Sequence, residues 1–148
     1  MHHFCYASQS TSDKSNLLDD LTDILAEARN FNHHHGITGV LYFADGYFFQ
    51  YLEGTLEHLN MLFEKLSKDP RHENIKRFEM RPIEQINFTG WSMKYISRRD
   101  EIRDFCKNMG FNNFTPHSFK QVHVDALLAQ LQAQDQDETI ENYKTAQS

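Results

Sequence analysis

The chain has 148 residues with a formal net charge of −6, and 39% of its residues are hydrophobic. This length suits one compact domain, and no apolar run comes near the ~18 residues that a membrane span needs. The acidic balance argues against binding to a nucleic-acid backbone, which requires a basic face. Neither the N-terminal segment nor the two cysteines have the pattern of a secreted protein, so we expect a cytoplasmic one.

The first 97 residues alternate between strand and helix patterns. The predicted elements are, in chain order, a strand at 4–8, a helix at 16–32, strands at 37–43 and 47–52, a helix at 56–66, and strands at 75–83 and 91–96. Asp45-Gly46 between two strands is a strong hairpin signal, and Gly36 and Pro70 are suited to end the two helices. This order predicts an α+β, ferredoxin-like fold with two helices on one face of a mostly antiparallel sheet.

The chain beyond residue 97 has a different character. Two more helices are predicted at 99–108 and 118–132, whereas the residues from 135 onward are polar and lack an apolar stripe. We therefore expect three parts: a folded domain at 1–97, a C-terminal helical extension at 98–134, and a flexible tail at 135–148.

The third predicted strand is apolar on both of its faces. Side chains alternate along a strand, so one face receives Phe48, Gln50 and Leu52 and the other receives Tyr47, Phe49 and Tyr51. If one face of the sheet were exposed to solvent, apolar and polar residues would alternate along this strand. The second face must therefore be covered by the C-terminal helices, by a second copy of the chain, or by both.

Polar side chains are predicted to converge on the side of the sheet that faces the first two helices. Tyr6, Ser8 and Gln50 share this side by strand parity, and Asn32 ends the first helix nearby. A mostly apolar chamber with a few convergent polar groups is typical of a small-molecule pocket. Taken residue by residue, however, the pattern favours polar groups that satisfy one another in the core.

Five motifs occur in the order found in one known family. They are YAS at residues 6–8, Asn32, the pair GITGVLYF and GYFFQYLEG within residues 36–54, DPRH at 69–72, and GWSM at 90–93. Together they resemble the BLUF family, the blue-light sensors that use FAD, over residues 2–97. The resemblance implies a ferredoxin-like flavin-binding domain that holds FAD, or else FMN or riboflavin, with its isoalloxazine between the first two helices.

The resemblance also implies roles for individual side chains. Tyr6 matches the electron and proton donor to the excited flavin, and Gln50 matches the bridge between that phenol and the N5/C4-carbonyl edge of the ring. Asn32 matches the amide that holds the polar edge. The remaining matches are Ile24, which packs on the ring; Ser8, which supports the network; Arg71 and His72, which contact the flavin or its ribityl chain; and Trp91 and Met93, which relay the change.

The function that follows is a photoreceptor with no enzymatic activity. The residues outside the sensor are too few for an effector domain, so the output would pass to a separate, unidentified protein, and a homo-oligomer stays open. We expect the strand with Trp91 and Met93, together with the C-terminal helices, to change between two conformations in response to light. The alternative interpretation is that Trp91 and Met93 only fill the core and have no signalling role.

Two other classes of function are compatible with the predicted fold. One is a light-insensitive dimerisation module that has lost flavin. The other is an acylphosphatase-like enzyme, which would need an arginine in the loop at residues 9–15, where none occurs. Glu53 has no acid partner in the pattern, so no catalytic role is assigned to it.

Two clusters of basic side chains remain, and one of them includes Arg71 of the DPRH motif. The three histidines at residues 33–35 point in different directions on a helix end, which indicates a solvated cluster and not a metal site. Lys65, Lys68, Arg71 and Lys76 predict a modest basic patch, suited to the surface or to a flavin phosphate.

Overall fold

The computed structural model describes residues 1–88, 93–96 and 99–133, and it contains six strands, four α-helices and a 3-10 turn in those ranges. The elements are β1 (His2–Ser10), α1 (Leu17–His35), β2 (Thr38–Ala44), β3 (Tyr47–Gly54), α2 (Leu56–Ser67), β4 (His72–Arg77), β5 (Arg81–Pro82), β6 (Lys94–Tyr95), α3 (Arg99–Asn108), the 3-10 turn Pro116–Ser118, and α4 (Gln121–Ala133). No helix in these ranges is long and apolar enough to span a membrane.

The sheet has the strand order β4-β1-β3-β2-β6, and the short β5 also pairs with β1. β3 runs antiparallel to both β1 and β2. β1 and β2 are therefore parallel to each other and are joined by the crossover helix α1. β6 adds to β2 in parallel. The ferredoxin-like α+β fold predicted from the sequence is confirmed.

Two glycines have backbone conformations that the local structure requires. Gly36 has φ of 64° and ends α1, with its amide N–H bonded to the carbonyl of Asn32. Asp45 and Gly46 both have positive φ, 54° and 85°, as the tight turn between β2 and β3 needs. These residues therefore fix where α1 ends and in which register β2 and β3 pair.

Several predicted boundaries were wrong by a few residues. The strand predicted at 75–83 is two strands, because the amide of Glu79 is bound by the side chain of Gln121 in α4 and not by the sheet. α1 continues to His35, and the last predicted helix begins only at Gln121, after a separate 3-10 turn at Pro116–Ser118. The predicted tail at 135–148 and the domain border at residue 97 lie outside the described residues.

The two faces of the sheet carry two separate apolar cores. Phe4, Tyr6, Leu41, Phe48 and Leu52 pack under α1 and α2, and we call this the α1/α2 face. The other is the α3/α4 face, on which sheet residues pack with α3, α4 and the segment between them; its buried members include Cys5, Val40, Phe49, Tyr51, Ile102, Phe105, Phe119 and Leu127. The C-terminal helices of the same chain thus cover the second apolar face.

Candidate functional site

A cleft opens between α1 and α2 over the α1/α2 face of the sheet. The empty space in the cleft, counted together with the open solvent at its mouth, is about 430 Å³. The residues that line it are Ile24, Glu27, Ala28, Phe31, Asn32, Gln50, Leu62, Lys65, Leu66, Asp69, Arg71 and Met93. Five residues assigned to the site from the sequence therefore meet in one cleft: Ile24, Asn32, Gln50, Arg71 and Met93.

Gln50 lines the cleft and forms a hydrogen bond with Tyr6, which is fully buried and is not itself among the lining residues. They are cross-strand partners in the β1–β3 pair, and such partners lie on the same face of a sheet. The Tyr6 hydroxyl donates to Gln50 Oε1 at 2.5 Å, and Gln50 is only 2% exposed. Because the amide oxygen accepts from the phenol, the Nε2 end of Gln50 is left to donate to another group.

The phenol of Tyr6 is held in its protonated form. It is completely buried. This burial, with a smaller contribution from the negative charge of Asp69, raises the pKa of Tyr6 well above its usual value. The site therefore keeps a neutral phenol with its proton on the hydrogen bond to Gln50 throughout the physiological range of pH.

Helix α1 presents a stripe of side chains that forms one wall of the cleft. Ile24, Ala28 and Asn32 follow one another at intervals of four residues and so lie along one side of the helix. Asn32 stands in the last turn and is completely buried. The wall is therefore apolar along most of its length and ends in an amide, as an apolar ring with a polar edge would require.

Ser8 and His72 lie beside Tyr6 but are not among the residues that line the cleft. Ser8 Oγ and His72 Nδ1 are 3.0 Å apart, and the His72 ring packs edge-on against Tyr6 and Phe48. Burial lowers the pKa of His72, although the negative charge of Asp69 partly opposes this. A supporting role for Ser8 fits this placement, whereas direct contact between His72 and the flavin stays a prediction.

Charged side chains surround the mouth of the cleft. Arg71 Nη2 bonds to Asp69 at 2.8 Å and also pairs with Glu27 on α1. The hydrogen bond to Asp69 is the main reason that the pKa of Arg71 rises above its usual value. Lys65 lies over the ring of Phe31 at 4.9 Å from its centre. Two cations thus stand at the mouth, and both are part of its lining.

The basic patch expected from the sequence does not form as a unit. Lys76 bonds instead to the carbonyls of His117 and Phe119, at 2.9 and 2.8 Å, in the segment that leads into α4. Lys68 pairs with Glu64 on the exposed side of α2. The prediction was wrong because β4 sends Lys76 to the α3/α4 face, away from the cleft.

Met93 is the described member of the expected relay pair. Its side chain is buried and lines the cleft, and its carbonyl accepts a hydrogen bond of 3.0 Å from Arg29 Nε on α1. Trp91 lies outside the described residues. The segment that leads to β6 therefore has at least one side chain against the cleft.

The histidines at the end of α1 bind to their own helix. Nδ1 of His34 and of His35 lie 2.7 Å from the carbonyls of Asn30 and Phe31, and the ring of His35 stacks on Phe31. Among the residues that the structure describes, no group of three or more histidines, cysteines or acidic residues could hold a metal ion.

Two acidic residues that line the cleft, Glu27 and Asp69, and one buried on the opposite face, Glu53, were given no role from the sequence. Glu27 lies three residues after Ile24, so helical spacing could have placed it on the same wall. Asp69 precedes Arg71 in the DPRH motif, which could have suggested their pairing. Glu53 shares strand parity with Tyr51, which could have predicted a carboxylate buried on the α3/α4 face.

The cleft residues fit FAD. Ile24, Ala28 and Leu62 offer apolar walls for a flat ring, and the buried amides of Asn32 and Gln50 offer donors and acceptors for its polar edge. Lys65 and Arg71 at the mouth are donors suited to phosphates, and Arg71 is already paired there with Asp69 and Glu27.

Comparisons with known proteins agree with this site. The model of the BLUF family, sensors of blue-light using FAD, matches residues 1–94. The photoactivated adenylate cyclase subunit alpha of Euglena gracilis is 34% identical over 94 residues, which are 64% of this chain and 9% of that protein. The blue light- and temperature-regulated antirepressor of Escherichia coli is 34% identical over 110 residues, 68% of this chain and 27% of its own. The chain thus spans only a small part of these curated relatives.

Solved structures extend the likeness over more of the chain. The ground state of BlsA is 47% identical, with a TM-score of 0.83, and the match covers 88% of this chain and 87% of BlsA. The dark state of BlrB is 31% identical with a TM-score of 0.64, over 73% of this chain and 80% of BlrB. Because the family model matches more than half of the chain, the protein belongs to the BLUF family of blue-light sensors that use FAD.

Proposed function

We propose that this chain is a photoreceptor in which Tyr6 and Gln50 carry the light response and a separate protein receives the output. The observation that carries the proposal is the 2.5 Å hydrogen bond between these two buried side chains, of which Gln50 lines the cleft. When bound, FAD supplies the absorption of blue light and, in its excited state, a strong oxidant. Asn32 and Ile24 would orient the ring, and Arg71 and Lys65 would hold the phosphates.

Tyr6 is placed to lose an electron and a proton together. Its raised pKa keeps the proton on the phenol before illumination. Loss of an electron makes a phenol strongly acidic, so the proton moves along the existing hydrogen bond to Gln50 Oε1. Electron and proton return to Tyr6 afterwards, which leaves no net oxidation.

Gln50 is suited to retain a changed hydrogen-bonding pattern after this transfer. Its amide has an acceptor at one end and a donor at the other, so rotation or tautomerisation reverses what it offers to its neighbours. A single exchanged hydrogen bond is worth ~0.5–1.5 kcal/mol, which biases an equilibrium without forcing it. The expected signature is a small, reversible red shift of the flavin spectrum.

The output would leave through the segment that holds Met93 and through the C-terminal helices. Met93 contacts the cleft, and its neighbours in β6 pair with β2 beside β3, the strand of Gln50. Support for a separate recipient comes from the relative named as an antirepressor, whereas the Euglena relatives are named as cyclases in much longer chains.

The test is the visible absorption spectrum of the purified protein before a blue pulse, after it, and during recovery in the dark. We expect a flavin spectrum that shifts to the red and returns. Tyr6→Phe and Gln50→Leu should retain flavin and lose the shift. Tyr42→Phe is the matched control, because it removes a hydroxyl from the opposite face of the sheet.

Two results would contradict the proposal. A red shift of native size in Tyr6→Phe would show that the phenol is not the donor. Colourless native protein that takes up no added FAD would favour the light-insensitive interaction module instead.

A further inference from the structure

The carboxylate of Glu53 is completely buried at the end of β3, on the α3/α4 face. Oε1 and Oε2 accept hydrogen bonds from the backbone amide of Asn87, at 3.0 and 2.9 Å, and Oε1 accepts another from the amide of Phe88 at 2.9 Å. The side chains of Asn87, Tyr51 and Thr38 donate as well, at 3.0, 2.9 and 3.3 Å. Five neutral donors thus converge on one charged group.

Burial of the Glu53 carboxylate is energetically unfavourable unless all of these hydrogen bonds are formed. A buried carboxylate loses its hydration, and only well-formed hydrogen bonds offset that loss. Bonds to an ionised acceptor are shorter and stronger than bonds between neutral groups. Two consecutive backbone amides can reach the carboxylate only if the chain at Asn87 and Phe88 has one particular conformation. Glu53 therefore selects that conformation.

Glu53 lies close in sequence to Gln50, and its hydrogen-bond partners Asn87 and Phe88 lie close in sequence to Met93. Gln50 stands three residues earlier on the same strand and points to the opposite face. Phe88 stands five residues before Met93, which lines the flavin cleft. One carboxylate thus ties the strand that carries Gln50 to the segment that ends at Met93.

The same contact reaches the C-terminal helices. Phe88 is buried and packs edge-on against Tyr51, with ring centres 5.3 Å apart. Asn87 and Phe88 border a second cavity, whose other wall includes Asp125 and Leu128 of α4. A shift of the chain at Asn87 and Phe88 would therefore be felt at α4, and these two residues also precede Met93 of the cleft in sequence.

We propose that Glu53 is a positioning residue of the photocycle: it holds the backbone at Asn87 and Phe88 in the dark-state arrangement, and light weakens this hold. The inference rests on the function proposed above. If the bonds to Glu53 stabilise the dark arrangement, their loss removes part of the driving force for recovery and so lengthens the life of the lit state.

The experiment compares the dark recovery of the flavin-bound native protein with that of Glu53→Gln. Glutamine keeps the size of the side chain but replaces one acceptor oxygen with an amide that repels the N–H donors. We expect a red shift of native size and a recovery slowed at least about threefold, which corresponds to ~0.65 kcal/mol in the barrier. Thr38→Val is the matched control, because it removes the longest bond to Glu53 and leaves both backbone amides in place.

A merely structural role for Glu53 predicts a different result. It would lower the free energy of unfolding in Glu53→Gln and leave the recovery rate of folded protein unchanged, and that outcome overturns the proposal. Equal slowing in Thr38→Val would also overturn it. If the native protein shows no red shift, the proposed function fails, and the proposed role of Glu53 in the photocycle fails with it.

Hydrogen exchange of the native protein gives a second test that does not depend on a variant. The amides of Asn87 and Phe88 should be protected in the dark and exchange faster under continuous blue light. Equal protection in both conditions would contradict the weakening by light, and no protection in the dark would contradict the hold itself.

Discussion

The two faces of the central sheet are built from the same strands but are packed in different ways. The α1/α2 face leaves a cleft, and the buried polar side chains of Asn32 and Gln50 line it. On the α3/α4 face aromatic rings pack against one another, such as the edge-on pair Tyr42 and Phe114, and a separate cavity lies beside Phe88. Because side chains alternate along a strand, the single strand β3 supplies a reactive side chain to one face and core side chains to the other.

The faces also differ in whether the hydrogen bonds of their buried polar groups are all made within the protein. On the α1/α2 face the described polar groups surround a space that a ligand can enter, so part of their hydrogen bonding is available to it. On the α3/α4 face Glu53 is saturated by donors from the protein itself. The first arrangement suits exchange of partners, and the second suits a fixed support.

The largest effect is expected from a large cavity on the α3/α4 face. Phe119 is 1% exposed and contacts Phe111 and Phe114. Phe119→Ala should lower the free energy of unfolding by ~3–5 kcal/mol, as removal of buried aromatic rings does. The flavin red shift should stay, because the bond between Tyr6 and Gln50 lies on the opposite face. Denaturant unfolding and the light-minus-dark spectrum measure the two quantities.

The control for this change is Val122→Ala on α4, where the side chain is 66% exposed. Its effect on stability should stay within about 0.5 kcal/mol. If folded, flavin-bound Phe119→Ala lost the red shift, the two faces could not be treated as separate.

Much of the fold could be predicted because it depends on local patterns. The turn at Asp45-Gly46 and the alternation along β3 fixed the hairpin and assigned each side chain to a face. The cover of the α3/α4 face was left open, because an apolar face does not specify whether its cover comes from the same chain. Contacts distant in sequence decide that, such as the bonds of Lys76 to the carbonyl of Phe119.

The site divides in the same way. The pairing of Tyr6 with Gln50 was predictable, since parity places both on one face and the family resemblance gives them roles. The partners of Glu53 were not, because they are backbone amides of an irregular segment that carries no periodic signal. The same reason hid the departure of Lys76 from the expected basic patch.

A smaller effect is expected where the cleft binds the polar edge of the flavin. Asn32→Ala should leave the fold intact and weaken flavin binding at least about tenfold, or ~1.4 kcal/mol, because a buried amide partner is lost. Titration of the flavin-free protein with FAD, followed by fluorescence, measures the affinity. Asn30→Ala, two residues earlier on the exposed side of α1, is the control and should bind as the native protein does.

An unchanged affinity in Asn32→Ala would mean that the end of α1 does not hold the ring. Specific binding of flavin on the α1/α2 face would then depend on Gln50 and on the charged side chains at the mouth of the cleft. The two faces would also differ less in how many of their buried polar groups are available to a ligand.

The smallest effect concerns pH, and it compares one histidine from each face. Burial lowers the pKa of His72, beside Tyr6, and also that of His3, which packs on Tyr51. Below about pH 6.5 the unfolded chain takes up protons at these sites before the folded chain does. The free energy of unfolding should therefore fall as the pH drops from 7 through 6.5 towards the lower folded pKa values, by at most roughly 1.4 kcal/mol per pH unit for His72.

Substitution separates the two contributions. His72→Gln should remove more of this slope than His3→Gln, because His72 is almost completely buried and its shift is due first to burial. The pKa of Asp69 is lowered, since its bonds from Arg71 outweigh its burial, so its titration falls below the window of the two histidines. Urea unfolding between pH 5 and 7 measures the slope. If the pH dependence of the free energy of unfolding were equal in the native protein and His72→Gln, the His72 imidazole would take up its proton as easily in the folded as in the unfolded chain. The α1/α2 face would then be more accessible to solvent than its packing indicates.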